Sequence, residues 1–229
     1  MRRYQSGITF IGGLVLLVVV GGFAFSALGF LLALVIDAAV LAYPAYLSLQ
    51  YRKLPKIHDI TTDPIDPPRF EALARLRAGE GANSAVYAGL YSAEQQRSAY
   101  PDIETVELEL PAARAYDVVL QVVNRRKWNV VDDRKPEGRR EGHIEAITKS
   151  FLMGFREDVT IRIKADGEDS RVDIRSSSRY FESDFGSNAK RVAALIEDIN
   201  TAAEQAALKP VKKVAPAPAA KAPAKTVKK

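Results

Sequence analysis

The sequence predicts an α+β fold: an antiparallel sheet of about five strands in the order β-α-β-β-β-β-α, with two helices on one face and an N-terminal transmembrane helix hairpin. Three observations support this prediction. Residues 8–47 are almost entirely apolar, short stretches between 104 and 177 alternate apolar and polar residues, and two amphipathic segments accompany them. Short connections between the last four strands favour antiparallel pairing. Two helices can then cover the apolar face of the sheet.

The apolar segment 8–47 contains one ionisable residue, Asp37. A single helix of this length would measure about 60 Å, twice the roughly 30 Å hydrocarbon core of a bilayer. We therefore expect two transmembrane helices within residues 1–50, near 7–25 and 28–47. Basic residues stand before the first span and after the second, so the positive-inside rule places the folded domain on the cytoplasmic side of the membrane.

Gly29, Ala33 and Asp37 recur every four residues in the second predicted span and therefore share one helix face. Such small residues allow close helix–helix contact, with Asp37 neutral or hydrogen-bonded inside the contact. The same face could join two copies of the protein. The alternative is a proton or ion relay built on Asp37, which would need an ionisable partner that the first span does not offer. Packing is the preferred interpretation.

Charge is distributed unevenly along the 229 residues. The formal net charge is +5, yet residues 207–229 carry seven lysines and no acid. This Lys/Ala/Pro tail has too few large apolar residues to bury a core, so we expect it to be disordered. Its bases predict contact with a polyanion, which would be anionic lipid, nucleic acid or an acidic envelope polymer. A tail that only improves solubility is the alternative.

Residues 51–101 are expected to form a proline-rich strap between the membrane and the folded domain. Four prolines disfavour regular structure through most of 54–68, and short helices are predicted within 68–78 and 92–99. The absence of cysteine excludes disulfides and cysteine-built zinc sites. A histidine and three aspartates suggest a metal site, but Asp-Pro strings are typical of turns, so neither a metal nor a cofactor is expected. These residues are His58, Asp59, Asp63 and Asp66.

The α+β domain is assigned to residues 102–206. Strands are predicted at 104–110, 128–132, 143–149, 158–163 and 171–177, and helices are predicted to begin at Pro111 and at Ser187, the latter as an N-cap.

The pairing register of the last hairpin can be predicted, because the apolar residues of both strands must share the covered face. Registers that satisfy this requirement differ in which charged residues stand opposite each other. The register that avoids opposing arginines places Arg162 opposite Asp173 and Thr160 opposite Arg175.

The other face of the sheet carries many charged residues, which continue into the first turns of the last helix. Three interpretations remain open: a solvated ladder of ion pairs, a surface that binds a partner or an anionic ligand, and an active site. An enzyme would act on an anionic or lipid-derived substrate, with Glu145, Asp158 and Asp173 as acid–base groups hidden in a cleft. A binding surface should be shallow and open. The candidate surface consists of Glu145, Asp158, Arg162, Asp173, Arg175, Arg179, Asp184, Asn188 and Arg191.

Four strings, "LPKIHDITTDPIDPPRF", "AYPDI", "HIEAITKSFLMGFREDVTIRI" and "RVDIRSSSRYFESDFGSNAKRV", resemble the bacterial family called domain of unknown function 1499 over about residues 52–200. The resemblance implies N-terminal membrane spans and a recurring pattern at Arg175, Arg179, Asp184 and Asn188. It implies no activity. With the two spans expected from the apolar segment, the chain is predicted to be a multi-pass protein of the bacterial inner membrane. The leading hypothesis is a membrane-anchored, non-enzymatic module that binds a partner or an anionic ligand near the bilayer.

Overall fold

The computed structural model describes residues 27–77, 81–150 and 154–208. Within these ranges the chain is an α+β protein with five helices and a six-stranded antiparallel sheet. The helices are α1 (Ala27–Tyr51), α2 (Ala72–Leu76), α3 (Leu90–Ala99), α4 (Ala112–Arg125) and α5 (Ser187–Ala207). The strands are β1 (Asp59–Thr61), β2 (Val106–Leu108), β3 (Asn129–Arg134), β4 (Gly142–Lys149), β5 (Arg156–Asp166) and β6 (Asp169–Ser178).

Helix α1 contains a segment, Gly29–Leu49, that is long and apolar enough to cross a membrane. Its 21 residues correspond to about 31 Å, close to the thickness of the hydrocarbon core. Gly29, Ala33 and Asp37 lie in this helix at the predicted four-residue spacing. The contact expected of that face stays a prediction. The other predicted span, near 7–25, and nearly all of the Lys-rich tail lie outside the described residues.

The sheet has the strand order β1-β6-β5-β4-β3, and β2 pairs with β6 along the same edge as β1. β1 pairs with β6 between Arg175 and Ser177, whereas β2 pairs between Ser170 and Val172. The prediction of about five strands missed β1, a three-residue strand in the stretch of strap where prolines were expected to prevent regular structure. All these pairings are antiparallel, and for the last four strands this confirms the prediction from their short connections.

The predicted register of the last hairpin is confirmed. Arg162 stands opposite Asp173 and Thr160 stands opposite Arg175. The pairing continues to Asp166 and Asp169, which bound the turn. The alternation of apolar side chains and the avoidance of opposed arginines were together sufficient to fix which residues of β5 and β6 lie side by side.

Helices α4 and α5 cover one face of the sheet with an apolar core. Ile161 and Ile174 of the sheet are almost fully buried, as are Val119 of α4 and Leu195 of α5. Full burial of a large aliphatic side chain is worth about 1.5–3 kcal/mol, so this face provides much of the driving force for folding. The two helices lie on one face of the sheet, as predicted.

Candidate functional site

The charged face of the sheet is buried, which contradicts two of the three interpretations, a solvated ladder of ion pairs and a shallow, open binding surface. The strap (51–101) crosses this face and covers it. We call the covered side chains of β4, β5 and β6, with Arg179, the polar layer. All six candidates in the layer are at most 8% exposed. They are Glu145, Asp158, Arg162, Asp173, Arg175 and Arg179.

Arg175 joins the middle of β6 to the strap. Its Nε and Nη2 donate to the Oδ1 and Oδ2 of Asp59 at 2.9 and 2.6 Å, and both side chains are 2% exposed. Its Nη1 also donates to the carbonyl oxygen of Pro68 at 3.1 Å, and its Nη2 to that of Ala85 at 3.0 Å. The guanidinium also lies 4.6 Å from the centre of the Phe70 ring. The guanidinium of Arg175 thus makes four hydrogen bonds to the strap.

Asp158 of β5 is fully buried and is shared by two arginines. Arg77 of the strap donates its Nε to Oδ2 at 2.7 Å, and Arg179 donates its Nη2 to Oδ1 at 2.8 Å. The Nη2 of Arg77 also donates a hydrogen bond to the carbonyl oxygen of Ser177 at 2.9 Å. The carboxylate therefore ties the strap to the end of β6 and is enclosed by cationic groups.

Arg162 binds one acid of the sheet and two acids of the strap. Its Nη2 lies 2.8 Å from the Oδ2 of Asp173, and further contacts reach Asp66 at 2.9 Å and Asp63 at 3.2 Å. Burial alone would lower the pKa of Arg162, but the hydrogen bond and charge of Asp173, together with Asp66, raise it above its ordinary value. Arg162 is therefore a firmly charged group inside an acidic environment.

Glu145 of β4 is fully buried and binds the start of α2. Its carboxylate accepts hydrogen bonds from the backbone N–H of Glu71 and, at 2.7 Å, from that of Leu73. The Nε2 of His143 lies 3.0 Å from its Oε1. Burial would raise the pKa of Glu145, but the hydrogen bonds from His143 and the two backbone amides outweigh burial and lower it. Glu145 is held as a carboxylate.

The other three candidates lie together at the start of α5 and outside the polar layer. Asp184 accepts hydrogen bonds from the backbone N–H of Gly186 at 2.8 Å and of Asn188 at 2.7 Å. Burial raises the pKa of Asp184 and these hydrogen bonds offset only part of the effect. Arg191 donates to the Oδ1 of Asn188 at 2.6 Å and forms an ion pair with Glu157. This group fixes the beginning of α5 against the sheet.

The sequence prediction of Ser187 as the N-cap of α5 was wrong. Gly186 occupies that position with φ of 76°, and Asp184 provides the capping carboxylate two residues earlier. The hydroxyl of Ser187 instead donates to Glu157 at 2.9 Å.

Sequence reasoning missed the strap residues that complete the polar layer. Asp59 and Asp63 were considered as metal ligands and assigned to turns, and Arg77 and Phe70 were placed in a short helix without a function. The sequence does contain an indication of this contact. The strap carries acids and the sheet carries arginines, and these opposite charges could pair if the strap covered the sheet. Among the described residues, no group of three or more His, Asp or Glu side chains is arranged to hold a metal ion.

Two surface cavities, of about 480 and 500 Å³, lie away from the polar layer. The first is formed by the outer face of α4, including Asp117 and Arg125. The second lies between the start of α4 and the β3–β4 connection and is lined by Arg139, Arg140 and Lys164. Neither cavity contains Glu145, Asp158 or Asp173, so neither places a candidate acid beside a substrate-sized space.

The part of the chain that contains the strap, the sheet and the start of α5 matches the model of a known family. The model of the family described as Protein of unknown function (DUF1499) matches residues 59–199. The chain belongs to this family. The matched range begins at the first residue of β1, so the family includes the strap that covers the polar layer as well as the α+β domain. The resemblance noted over about 52–200 is confirmed.

Comparisons with other proteins add no function. A search of the curated proteins finds no match. The crystal structure of Ara h 8.0201 is 10% identical with a TM-score of 0.30, and the match covers 44% of this chain and 95% of that chain. A putative uncharacterized protein from Bacillus thuringiensis is 14% identical with a TM-score of 0.26, over 46% of this chain and 96% of that one. These TM-scores are too low to define a shared fold.

Proposed function

We propose that the protein works by binding, as a membrane-anchored module that holds its α+β domain at the surface of an anionic bilayer. The observation that favours binding over catalysis is the pairing of the buried carboxylates. Glu145, Asp158 and Asp173 accept hydrogen bonds from arginine, backbone or histidine donors within the polar layer. A catalytic acid or base needs a pKa near the working pH and access to a substrate proton. The pKa of Glu145 is lowered, and the strap covers all three carboxylates, so a structural role is favoured for them.

The anchoring part of the proposal is supported by α1 and the residues that follow it. The apolar segment Gly29–Leu49 leads directly into Arg52, Lys53 and Lys56, which are all exposed. With a further span near 7–25, the protein would be a multi-pass protein of a bacterial inner membrane with its domain in the cytoplasm. Gly29, Ala33 and Asp37 would then provide a face for association with a second copy.

The ligand part of the proposal is anionic lipid, bound through the Lys-rich tail. Each of the seven lysines in 207–229 can contribute about 1 kcal/mol beside an anionic surface, and salt weakens this attraction strongly. Anionic lipid is not proposed as a ligand of the polar layer, because Arg162, Arg175 and Arg179 already bind carboxylates there.

Membrane topology is testable with single cysteines, because the natural chain has none. Gln5→Cys and Lys190→Cys are treated with a membrane-impermeant maleimide, first on intact cells and then on inverted membrane vesicles. Both variants should react only in the inverted vesicles. Reaction of the two cysteines from opposite sides would refute the hairpin, and reaction of Lys190→Cys in intact cells would refute the cytoplasmic placement.

Lipid binding by the tail is tested on the full chain in nanodiscs. A fluorophore on Lys229→Cys should be quenched by a headgroup-linked quencher in discs that contain phosphatidylglycerol, and high salt should abolish the quenching. Discs of phosphatidylcholine alone are the lipid control, and replacement of the other six tail lysines by glutamine is the protein control. Equal quenching in both kinds of disc would reject anionic lipid as the ligand of the tail.

A further inference from the structure

The loop between β6 and α5, residues 179–186, exposes two phenylalanines. Phe181 is 54% exposed and Phe185 is 53% exposed. Both have positive φ, at 71° and 53°, a left-handed conformation that is unfavourable for residues with bulky side chains. Backbone strain and exposed aromatic area therefore coincide in one short loop. Such a coincidence is typical of surfaces that meet another molecule.

This loop lies against the point at which the chain leaves the apolar helix. The ring of Phe185 is 4.7 Å from that of Tyr51, the last residue of α1. The backbone N–H of Asp184 donates to the carbonyl oxygen of Ile57 at 3.2 Å. If α1 crosses a bilayer, these contacts hold the loop at the level where the helix emerges, which is the headgroup region.

The neighbouring ends of β4 and β5 carry a like-charged pair. Lys149 and Arg156 are directly opposite each other and both are exposed. Opposed like charges are destabilising, and neither residue forms an ion pair within the part of the chain that the structure describes. The pair adjoins the loop, since the N–H of Arg179 donates to the carbonyl oxygen of Arg156 at 3.4 Å. A nearby anionic surface would relieve this repulsion.

The exposed charge around the loop is mainly positive. Arg52, Lys53 and Lys56 lie on the strap next to Tyr51, and Glu182 is the exposed acid of the loop. Aromatic side chains surrounded by Lys and Arg are the combination by which peripheral segments bind anionic membranes, through apolar contact and charge attraction together.

We propose that residues 52–56, 149, 156 and 179–186 form a docking surface for the anionic headgroups of the bilayer that α1 crosses, with Phe181 and Phe185 at the headgroup boundary. This inference rests on the proposed membrane anchoring and adds a fixed orientation of the domain. α1 supplies the tether, and the docking surface prevents the domain from rotating freely about it. The loops at the opposite end, including the β5–β6 turn, then point away from the membrane.

The test uses the full chain in nanodiscs with a single fluorophore and a quencher attached to lipid headgroups. Glu182→Cys places the fluorophore in the docking surface, and Glu168→Cys places it in the exposed β5–β6 turn. In discs containing phosphatidylglycerol we expect strong quenching at the first position and little at the second. Val35→Cys with a quencher in the acyl chains reports independently whether α1 lies in the bilayer.

Two further sets of variants, all in the Glu182→Cys background, separate contact with lipid from a structural role. Phe181→Gly with Phe185→Gly should reduce the quenching by more than any fall in melting temperature in detergent accounts for. Glycine accepts positive φ, which offsets part of the loss of the ring contacts to Phe155 and Tyr51. Lys149→Gln with Arg156→Gln should weaken docking on anionic discs about 30-fold, the combined contribution of two bases near such a surface. The same change should leave docking on phosphatidylcholine discs unaltered.

The outcomes distinguish this inference from the proposed anchoring. Loss of quenching at Val35→Cys would defeat the anchoring itself. Quenching at Val35→Cys with equal signals at Glu182→Cys and Glu168→Cys would leave the anchor standing and overturn the docking surface. Self-quenching between Glu182→Cys fluorophores, in place of quenching by lipid, would show a second copy of the chain on this surface and would also overturn it. A fall in melting temperature that accounts for the whole effect of the glycine variants would do the same.

Discussion

The two faces of the sheet are held by opposite kinds of interaction. Under α4 and α5 the sheet presents Ile144, Ile161 and Ile174, which are buried by aliphatic neighbours. Under the strap the same strands present glutamate, aspartate and arginine, which are buried to the same degree but bound to named partners. Successive residues of β5, such as Ile161 and Arg162, alternate between these two environments.

The difference shows how stability and specificity are divided in this fold. Apolar burial is roughly proportional to area and has no preferred direction, so it stabilises many similar packings. A buried ion pair contributes little net stability compared with apolar residues of equal volume, yet removing one partner is costly. The polar layer therefore fixes where the strap lies, and the helical face supplies most of the free energy of folding.

The largest expected effect is the loss of a shared carboxylate in the polar layer. Asp158→Ala leaves Arg77 and Arg179 buried without their acid, and we expect the free energy of unfolding to fall by about 3–5 kcal/mol. Chemical denaturation of the full chain in detergent measures the change. Asp198→Ala is the matched control, because Asp198 is 48% exposed beside Arg126 and should cost only about 0–1 kcal/mol. Similar losses in the two variants would contradict a specific role of the layer.

An intermediate effect is expected from Glu145→Gln, and it should depend on pH. The folded protein lowers the pKa of Glu145 below its ordinary value of 4.5. The ionised carboxylate therefore stabilises the fold above about pH 4.5, and this contribution disappears as the pH falls through the lowered pKa. Glu145→Gln should cost about 1.5–3 kcal/mol at pH 7, the value of hydrogen bonds to a charged group.

The control for this prediction is the pH dependence of the natural chain. Asp184, whose pKa is raised, contributes with the opposite sign, but it is present in both proteins and cancels in their difference. The gap in stability between natural protein and variant should therefore narrow on acidification below pH 4.5. A gap that stays constant from neutral to acidic pH would show that the charge of Glu145 is not what binds the strap.

The smallest effect should come from the apolar face. Ile161→Leu conserves volume in the core and should cost less than about 1.5 kcal/mol. The comparison is Arg162→Lys, the next residue along β5, where the single ammonium cannot reproduce contacts to Asp173, Asp66 and Asp63. We expect Arg162→Lys to be the more destabilising of the two in thermal unfolding. If Ile161→Leu were the more destabilising change, the face under the helices would have the stricter geometric requirement, and the comparison would be contradicted.

Local alternation was enough to predict much of the sheet. Strands that alternate Val or Ile with charged residues were recognised. The register of β5 and β6 followed from keeping the apolar sets together and from avoiding opposed arginines. β1 was missed because three residues, Asp59–Thr61, are too few to show alternation and prolines stand nearby. Its partner strand, β6, lies more than a hundred residues away in the sequence, so no local sequence pattern indicates the pairing.

The burial of the candidate site was not predictable from local pattern either. Arg162 and Arg175 alternate with apolar residues as they would on a solvated face, because period-two spacing reports which face a residue occupies and not what covers it. The cover comes from strap residues such as Asp59 and Arg77 through contacts of long sequence separation. Only matching of opposite charges between the two segments could have indicated this contact.

The pairing of Asp59 with Arg175 has a consequence for the order of events during synthesis. The two residues are 116 positions apart. At an elongation rate of about 5–20 residues per second, roughly 6–23 s separate the appearance of the strap from that of its last partner strand. Throughout this interval the acids of the strap remain hydrated, whereas α1 has already left the ribosome and is available to the membrane. If α1 is a membrane anchor, its insertion can therefore precede closure of the polar layer, which cannot form until β6 and Arg179 have been synthesised.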